Sequence, residues 1–306
     1  MNMKKLLTLI LALTMVLTLC ACGASGGEGG SNGKLDGLCV GFGRENITPD
    51  FSVGLGGYSD NETRRSEGYV DYIYSTCIAM TEGETTILLF TIDNIAMNQS
   101  SLDKLRKAVS PATGIPEEHI YALATHSHSA PAVTTSDAEG QKYSELFYNA
   151  AVKAAETALA DRATSTLQAA TPTIEGMNFV RHYKLSNGTY AGSNFGSTTS
   201  GYKEHTYEVN HEMILVNFPR EGKDAVMLVN WAAHPANPYN VAIGYLNISA
   251  DHPGWCRDQL EKLVGNTKVA YFNGASGDVV PDSQIKEINH GLNAKQYGEK
   301  LAEMLV

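Results

Sequence analysis

The chain has 306 residues, 43% of them apolar and 18% charged, and carries a net charge of −10. That is enough chain for a substantial core in one large domain or two small ones, and too little charge for a disordered tail protein. The acidic balance argues against a nucleic-acid partner, because a phosphate backbone calls for a basic face, and no run of like charges marks an interaction tail.

The chain opens as an export segment. Lys4 and Lys5 precede residues 6–19, which are apolar apart from Thr8, Thr14 and Thr18. This run is short for a membrane span, which needs about 20 residues, and suits the core of a signal peptide. Its end, Leu19-Cys20-Ala21-Cys22-Gly23, resembles a bacterial lipobox. On that reading residues 1–21 are removed, taking two lysines and no acid, and Cys22 carries the lipid. The protein is then held at the bacterial cell surface or periplasmic face. The plainer alternative is an ordinary secretory signal or an uncleaved anchor. Residues 22–37 are rich in Gly and Ser and form a flexible tether. Of the cysteines that remain, Cys39, Cys77 and Cys256 are too few and too scattered for a disulfide framework.

The folded domain is expected over residues 38–306. Cys39-Val40-Gly41-Phe42-Gly43 alternates as a strand, and Gly54-Leu55-Gly56-Gly57-Tyr58-Ser59 is a glycine-dense loop. It lacks the following helix and lysine of a phosphate loop. Residues 73–80 and 85–92 form a β-hairpin about Glu82-Gly83-Glu84. Its second arm is a continuous apolar run, as in a strand buried on both faces. Helical spacing covers Leu102, Leu105, Arg106 and Val109, ending at Ser110-Pro111. Ile120-Tyr121-Ala122-Leu123 is a buried strand, and residues 143–160 form an amphipathic helix. Residues 165–170 read as a strand that can continue through Ile174-Glu175-Gly176, and residues 191–207 as a long polar surface loop. Residues 213–218 and 225–231 form a second hairpin. Asp251 suits an N-cap for a helix reaching Val264. A last strand covers Val269-Ala270-Tyr271-Phe272, and residues 292–305 are helical in pattern to the end of the sequence. The alternation predicts an α/β fold, a layered domain with mixed β-sheets flanked by helices.

Three polar motifs follow buried strands. Ala124-Thr125-His126-Ser127-His128-Ser129-Ala130-Pro131 places two imidazoles one residue apart. His234 follows Trp231-Ala232-Ala233, ahead of Ser249-Ala250-Asp251. Gly274-Ala275-Ser276-Gly277-Asp278-Val279-Val280-Pro281 follows the last strand. Ligands of α/β sheets gather at such strand ends. His-x-His suits zinc, which takes imidazole nitrogens at about 2.0–2.1 Å, as well as it suits loop histidines that merely hydrogen-bond. His234 alone reads as a satisfied core histidine, and Asp93, at a strand end, as a turn or cap acid.

The ordered set, with Gly57-Tyr58-Ser59 before it, resembles the N-terminal catalytic region of the neutral, non-lysosomal ceramidases from about Leu38 onward. The resemblance implies a zinc amidohydrolase with one Zn²⁺ per chain, in which His126 and His234 are metal ligands. It implies that His128 contacts substrate or moves a proton, that Arg181 lies at the reaction centre, and that Gly277 and Asp278 line the pocket with Gly57 and Tyr58. Two departures stand out. The family carries a serine where this chain has Val280, so any role of that hydroxyl is lost. The family's remaining zinc ligands, a glutamate and a tyrosine, lie beyond the sequence given. The resemblance therefore implies a site incomplete at its C-terminal side, with Asp93 and Asp251 as acids that could complete it.

The leading expectation is a zinc-dependent amidohydrolase cleaving the N-acyl amide of a sphingolipid-like or other amphiphilic substrate. The alternatives are a non-catalytic lipoprotein binding a ligand in the same pocket, or a metal-dependent hydrolase of a non-lipid amide.

Overall fold

Two sheets, each apolar on both faces, are stacked between two pairs of helices. The structure is a computed structural model describing residues 35–58, 63–133, 137–192, 195–236 and 246–306. The first half comprises β1 (Leu35–Asn46), β2 (Gly68–Tyr69), β3 (Tyr74–Gly83), β4 (Thr85–Ile92), α1 (Gln99–Thr113), β5 (Ile120–Ala124) and α2 (Ala138–Ala160). Short strands follow: β6 (Ala163–Thr164), β7 (Gln168–Ala170), β8 (Phe179–Val180), β9 (His182–Leu185), β10 (Tyr190–Gly192) and β11 (Tyr202–His205). The chain then forms β12 (Ile214–Arg220), β13 (Lys223–Trp231), β14 (Asn247–Ile248), α3 (Asp251–Val264), β15 (Thr267–Asn273), β16 (Val279–Val280) and α4 (Ala294–Glu303). The signal segment, Cys22 and nearly all of the tether lie outside the described residues.

The first sheet runs β5-β4-β3-β1-β6 and the second β15-β13-β12-β7. Both are mixed for the same reason. Each contains a hairpin, with two-residue turns at Gly83-Glu84 and Glu221-Gly222, and each gains one parallel neighbour through a helical crossover. The parallel pairs are β4 with β5 and β13 with β15. Crossovers of this kind bring the C-terminal ends of both parallel strands to one edge.

The apolar clusters give the layer order. Leu105, Val109, Phe147 and Ala151 of α1 and α2 pack on Cys77, Leu88 and Phe90. From the opposite face Val40, Phe42 and Ile78 meet Phe218, Val226, Ala270 and Phe272 of the second sheet. Beyond it, Val229, Trp231 and Tyr271 pack on Cys256, Leu260, Tyr297 and Leu301 of α3 and α4. The α/β/β/α stack explains the continuous apolar runs, since water reaches neither face of the central strands. The α2 helix lies directly on β1. A Cβ at Gly43 would fall 2.0 Å from the carbonyl oxygen of Ala154, so only glycine permits this approach. Cys39, Cys77 and Cys256 are buried and unpaired. No helix of the described residues is long and apolar enough to cross a membrane.

Several local expectations are corrected. Strand β1 begins at Leu35, with a register shift before Leu38. The strand expected at 165–170 forms only as β7, on β12; β6 on β1 ends just before it at Thr164, and the chain passes from one sheet to the other in between. Residues 174–176 do not extend it; only Thr173 bridges, to Glu212. The loop expected at 191–207 contributes β10 and β11 to a small antiparallel sheet with β9. Helix α1 runs through Pro111 to a left-handed Gly114 cap. The carbonyl that proline frees belongs to exposed Lys107, where water can satisfy it. Asp251 is the first residue of α3 and not its cap, and α4 finishes at Glu303 after a capping box of Asn293 and Gln296.

Candidate metal centre

The two parallel pairs deliver the site. Beyond β5, Thr125 N–H bonds the Ile92 carbonyl at 2.8 Å, and the chain turns through His126 at φ +68°. That left-handed conformation, uncommon for a residue with a Cβ, re-aims the ring. His126 Nδ1 lies 2.6 Å from the carbonyl oxygen of Ile95, in the segment after the neighbouring strand β4. The second sheet repeats the device. His234 follows β13, and its Nδ1 lies 2.9 Å from the carbonyl oxygen of Ser276, in the loop after the neighbouring strand β15.

These contacts fix the tautomers. A carbonyl oxygen only accepts, so both Nδ1 atoms carry the hydrogen and both Nε2 atoms keep a free lone pair. Those lone pairs point at a common space with His128. Its Nε2 lies 2.9 Å from His234 Nε2 and 3.4 Å from His126 Nε2. The three ring centroids form a near-equilateral triangle of 4.7, 4.8 and 5.0 Å. Among the described residues these three histidines are the group that could hold a metal ion. Tetrahedral zinc with bonds of about 2.0–2.1 Å separates its nitrogens by roughly 3.3 Å, so the donor set and its spacing fit such an ion closely.

Burial holds His128 and His234 neutral. It pushes His128 down to about 3, with His234 and His126 adding repulsion, and His234 down to about 4, where the Ser276 contact opposes the shift. The sign follows. Unfolded histidines take up protons below about pH 6.5, whereas the folded pair resists protonation until about pH 4. We therefore expect the apo-protein's melting temperature to fall as pH drops from 6.5 toward 4. Replacing His128 and His234 together with glutamine should flatten that slope in a calorimetric pH series.

The cluster rests on a stitched backbone. Ser127 Oγ donates to the Ser249 carbonyl at 2.8 Å, and Ser249 N–H to the Ser129 carbonyl at 2.9 Å. Asp251, fully buried at φ +57°, donates its backbone N–H to Ser249 Oγ at 2.9 Å. Its carboxylate accepts from His252 N at 2.6 Å and favours the charged form of His128. Asp93 is committed elsewhere: it accepts from Arg257 Nη1 at 2.8 Å and Tyr74 N at 3.0 Å. It therefore does not complete the histidine site.

The remaining expected residues fall around the cluster. Gly57 has φ +103°, and a Cβ there would fall 2.5 Å from His128 Cγ. Tyr58 packs edge-to-face with His128 at 5.0 Å between ring centroids, and the Arg64 guanidinium lies 4.7 Å from the Tyr58 ring centroid. Arg181 N–H donates to the Asp278 carbonyl at 2.8 Å and its Nη2 to the Gly277 carbonyl. The Asp278 carboxylate accepts from Tyr207. Ser59 and most of the loop after His234 lie outside the described residues. Sequence reasoning missed the carbonyls of Ile95 and Ser276, which leave no side-chain signal, and Arg64 and Tyr207, which touch the site from separate segments.

The class is thus a layered α/β domain with a strand-end histidine cluster able to hold a metal ion. No protein-family model and no curated protein matches the chain. Its fold matches the neutral ceramidase from Pseudomonas aeruginosa, with a TM-score of 0.69 and 16% identity over 88% of this chain. It also matches a ceramidase complexed with C2, with a TM-score of 0.68 and 17% identity over 88% of this chain. The chain spans 44% and 43% of those two chains. The resemblance implied by the histidine and glycine motifs therefore holds at the level of the fold.

Proposed function

We propose that this protein is a zinc-dependent amidohydrolase that cleaves an N-acyl amide bond of an amphiphilic substrate. In this reading it works at the bacterial surface, anchored through a lipid on Cys22. The observation that carries the proposal is the convergence of His126, His128 and His234, with two tautomers set by backbone carbonyls. The shared fold with the ceramidases supports it.

His126 and His234 would hold the ion through Nε2, and His128, the third nitrogen at ligand-like spacing, is left in this reading to carry protons. When bound, zinc polarises the amide carbonyl and activates water. His128 Nε2, beside both ligands, accepts a proton from the attacking side and returns it to the leaving amine. Its neutrality is required for the first of these transfers. Arg181 supplies positive charge on the substrate side of the site, and Gly277 and Asp278 hold that arginine in place. Gly57 and Tyr58 wall the substrate side of His128.

Hydrolysis of a panel of fatty-acyl and short-acyl amides tests the proposal. The wild type should release amine, and His128→Gln should lower kcat by about 100-fold or more while zinc stays bound, in line with the usual worth of a general acid–base. A zinc-loaded wild type that turns over none of the amides would favour the non-catalytic binding protein. Val280, in place of the family's serine, is the residue that favours that second reading.

A further inference from the structure

Arg181 is oriented by the site but is not neutralised by it. Among the described residues its side-chain hydrogen bond goes to a carbonyl oxygen, that of Gly277, and its buried Nε has no partner. The nearby Asp278 carboxylate is taken by Tyr207. Arg181 also lines a cavity of about 290 Å³ with Tyr183, Tyr202, Val280 and Gln284. That volume is at the low end for small-molecule pockets. Among the described lining residues the acid is Asp282, which is held by backbone donors. Its oxygens accept from the backbone N–H groups of Ser283, His290 and Gly291 at 2.8–3.1 Å, and its side chain is 2% exposed. A guanidinium with spare donors, beside a small cavity and within electrostatic reach of His234, matches the planar fork of a carboxylate.

We infer that the substrate carries a carboxylate next to the scissile amide, as an N-acyl amino acid does, and that this carboxylate binds Arg181 inside the cavity. The inference rests on the amidohydrolase reading and narrows its substrate class. Val280 fits it, because its apolar side chain adds no further negative oxygen to a cavity that Asp282 also lines.

Binding separates this inference from the reading beneath it. Zinc-loaded protein is titrated calorimetrically with N-hexanoylglycine and with N-hexanoylethanolamine, which replaces the carboxylate by a neutral hydroxyl. The acid should bind at least tenfold more tightly. Arg181→Met should abolish that preference, and so should Val280→Asp, which keeps the arginine but adds a competing charge; circular dichroism and zinc content check that both variants fold. Equal affinity for the two compounds in the wild type, or a preference that survives both substitutions, overturns the inference. Selective binding without turnover would instead count against the hydrolase and leave the carboxylate site standing.

Discussion

Alanine at Gly57 will lower amide turnover by about 100-fold or more while leaving zinc in place. The residue sits at φ +103°, a conformation costly to any side chain, and its added Cβ would lie 2.5 Å from Cγ, 2.7 Å from Nδ1 and 2.8 Å from Cα of His128. None of these is the loose end of a flexible chain. Arg64 donates to the His128 carbonyl, and His128 N–H bonds the Pro235 carbonyl at 3.0 Å, so the backbone cannot simply slide. The ring must tilt by something like an ångström, and misplacement on that scale costs about two orders of magnitude in rate. His126 and His234 keep their own carbonyl contacts. Steady-state kinetics beside zinc analysis checks the split; unchanged kcat in a folded variant would show that His128 moves no proton.

Arg257→Met will cost about 3–5 kcal/mol of stability, the usual result of stranding one charge of a buried pair. Arg257 and Asp93 have side chains only 3% and 2% exposed and meet at 2.8 Å. Removing the guanidinium leaves a carboxylate with no countercharge beside Asp71, itself pushed up to about 7 by burial. The damage reaches the site because Asp71 accepts from Ala250 N at 3.0 Å, and the adjoining Ser249 ties down the histidine loop. Urea denaturation should show the midpoint falling with little change in slope. Adding Asp93→Asn should recover part of the loss; a single variant as stable as wild type would remove the buried pair from this account.

The fold was legible where pattern and packing agree. The two hairpins, the long α2 helix and the strands leading to His126 and His234 follow from apolar runs that a four-layer stack buries on both faces. What misled was local. Pro111 ends most helices, but here its freed carbonyl faces water. The polar stretch at 191–207 reads as loop because the small sheet it joins is held by backbone bonds with few apolar side chains. Residues 165–170 look like one strand, since nothing in their composition marks the crossing between sheets. In the site, histidines at strand ends could be read directly. The orienting carbonyls of Ile95 and Ser276 could not, because a backbone acceptor is the same in every residue. Asp93 reads as a turn or cap acid at its strand end, and only its distance to Arg257, which lies far along the chain, reveals the pairing.

The central claim is that His126 and His234 hold a metal ion. The direct measurement is zinc content, by inductively coupled plasma mass spectrometry after dialysis, in the wild type, His126→Ala and His234→Ala. About one zinc per chain in the wild type, and little in either folded variant, is the predicted result. The same zinc content in all three would contradict it.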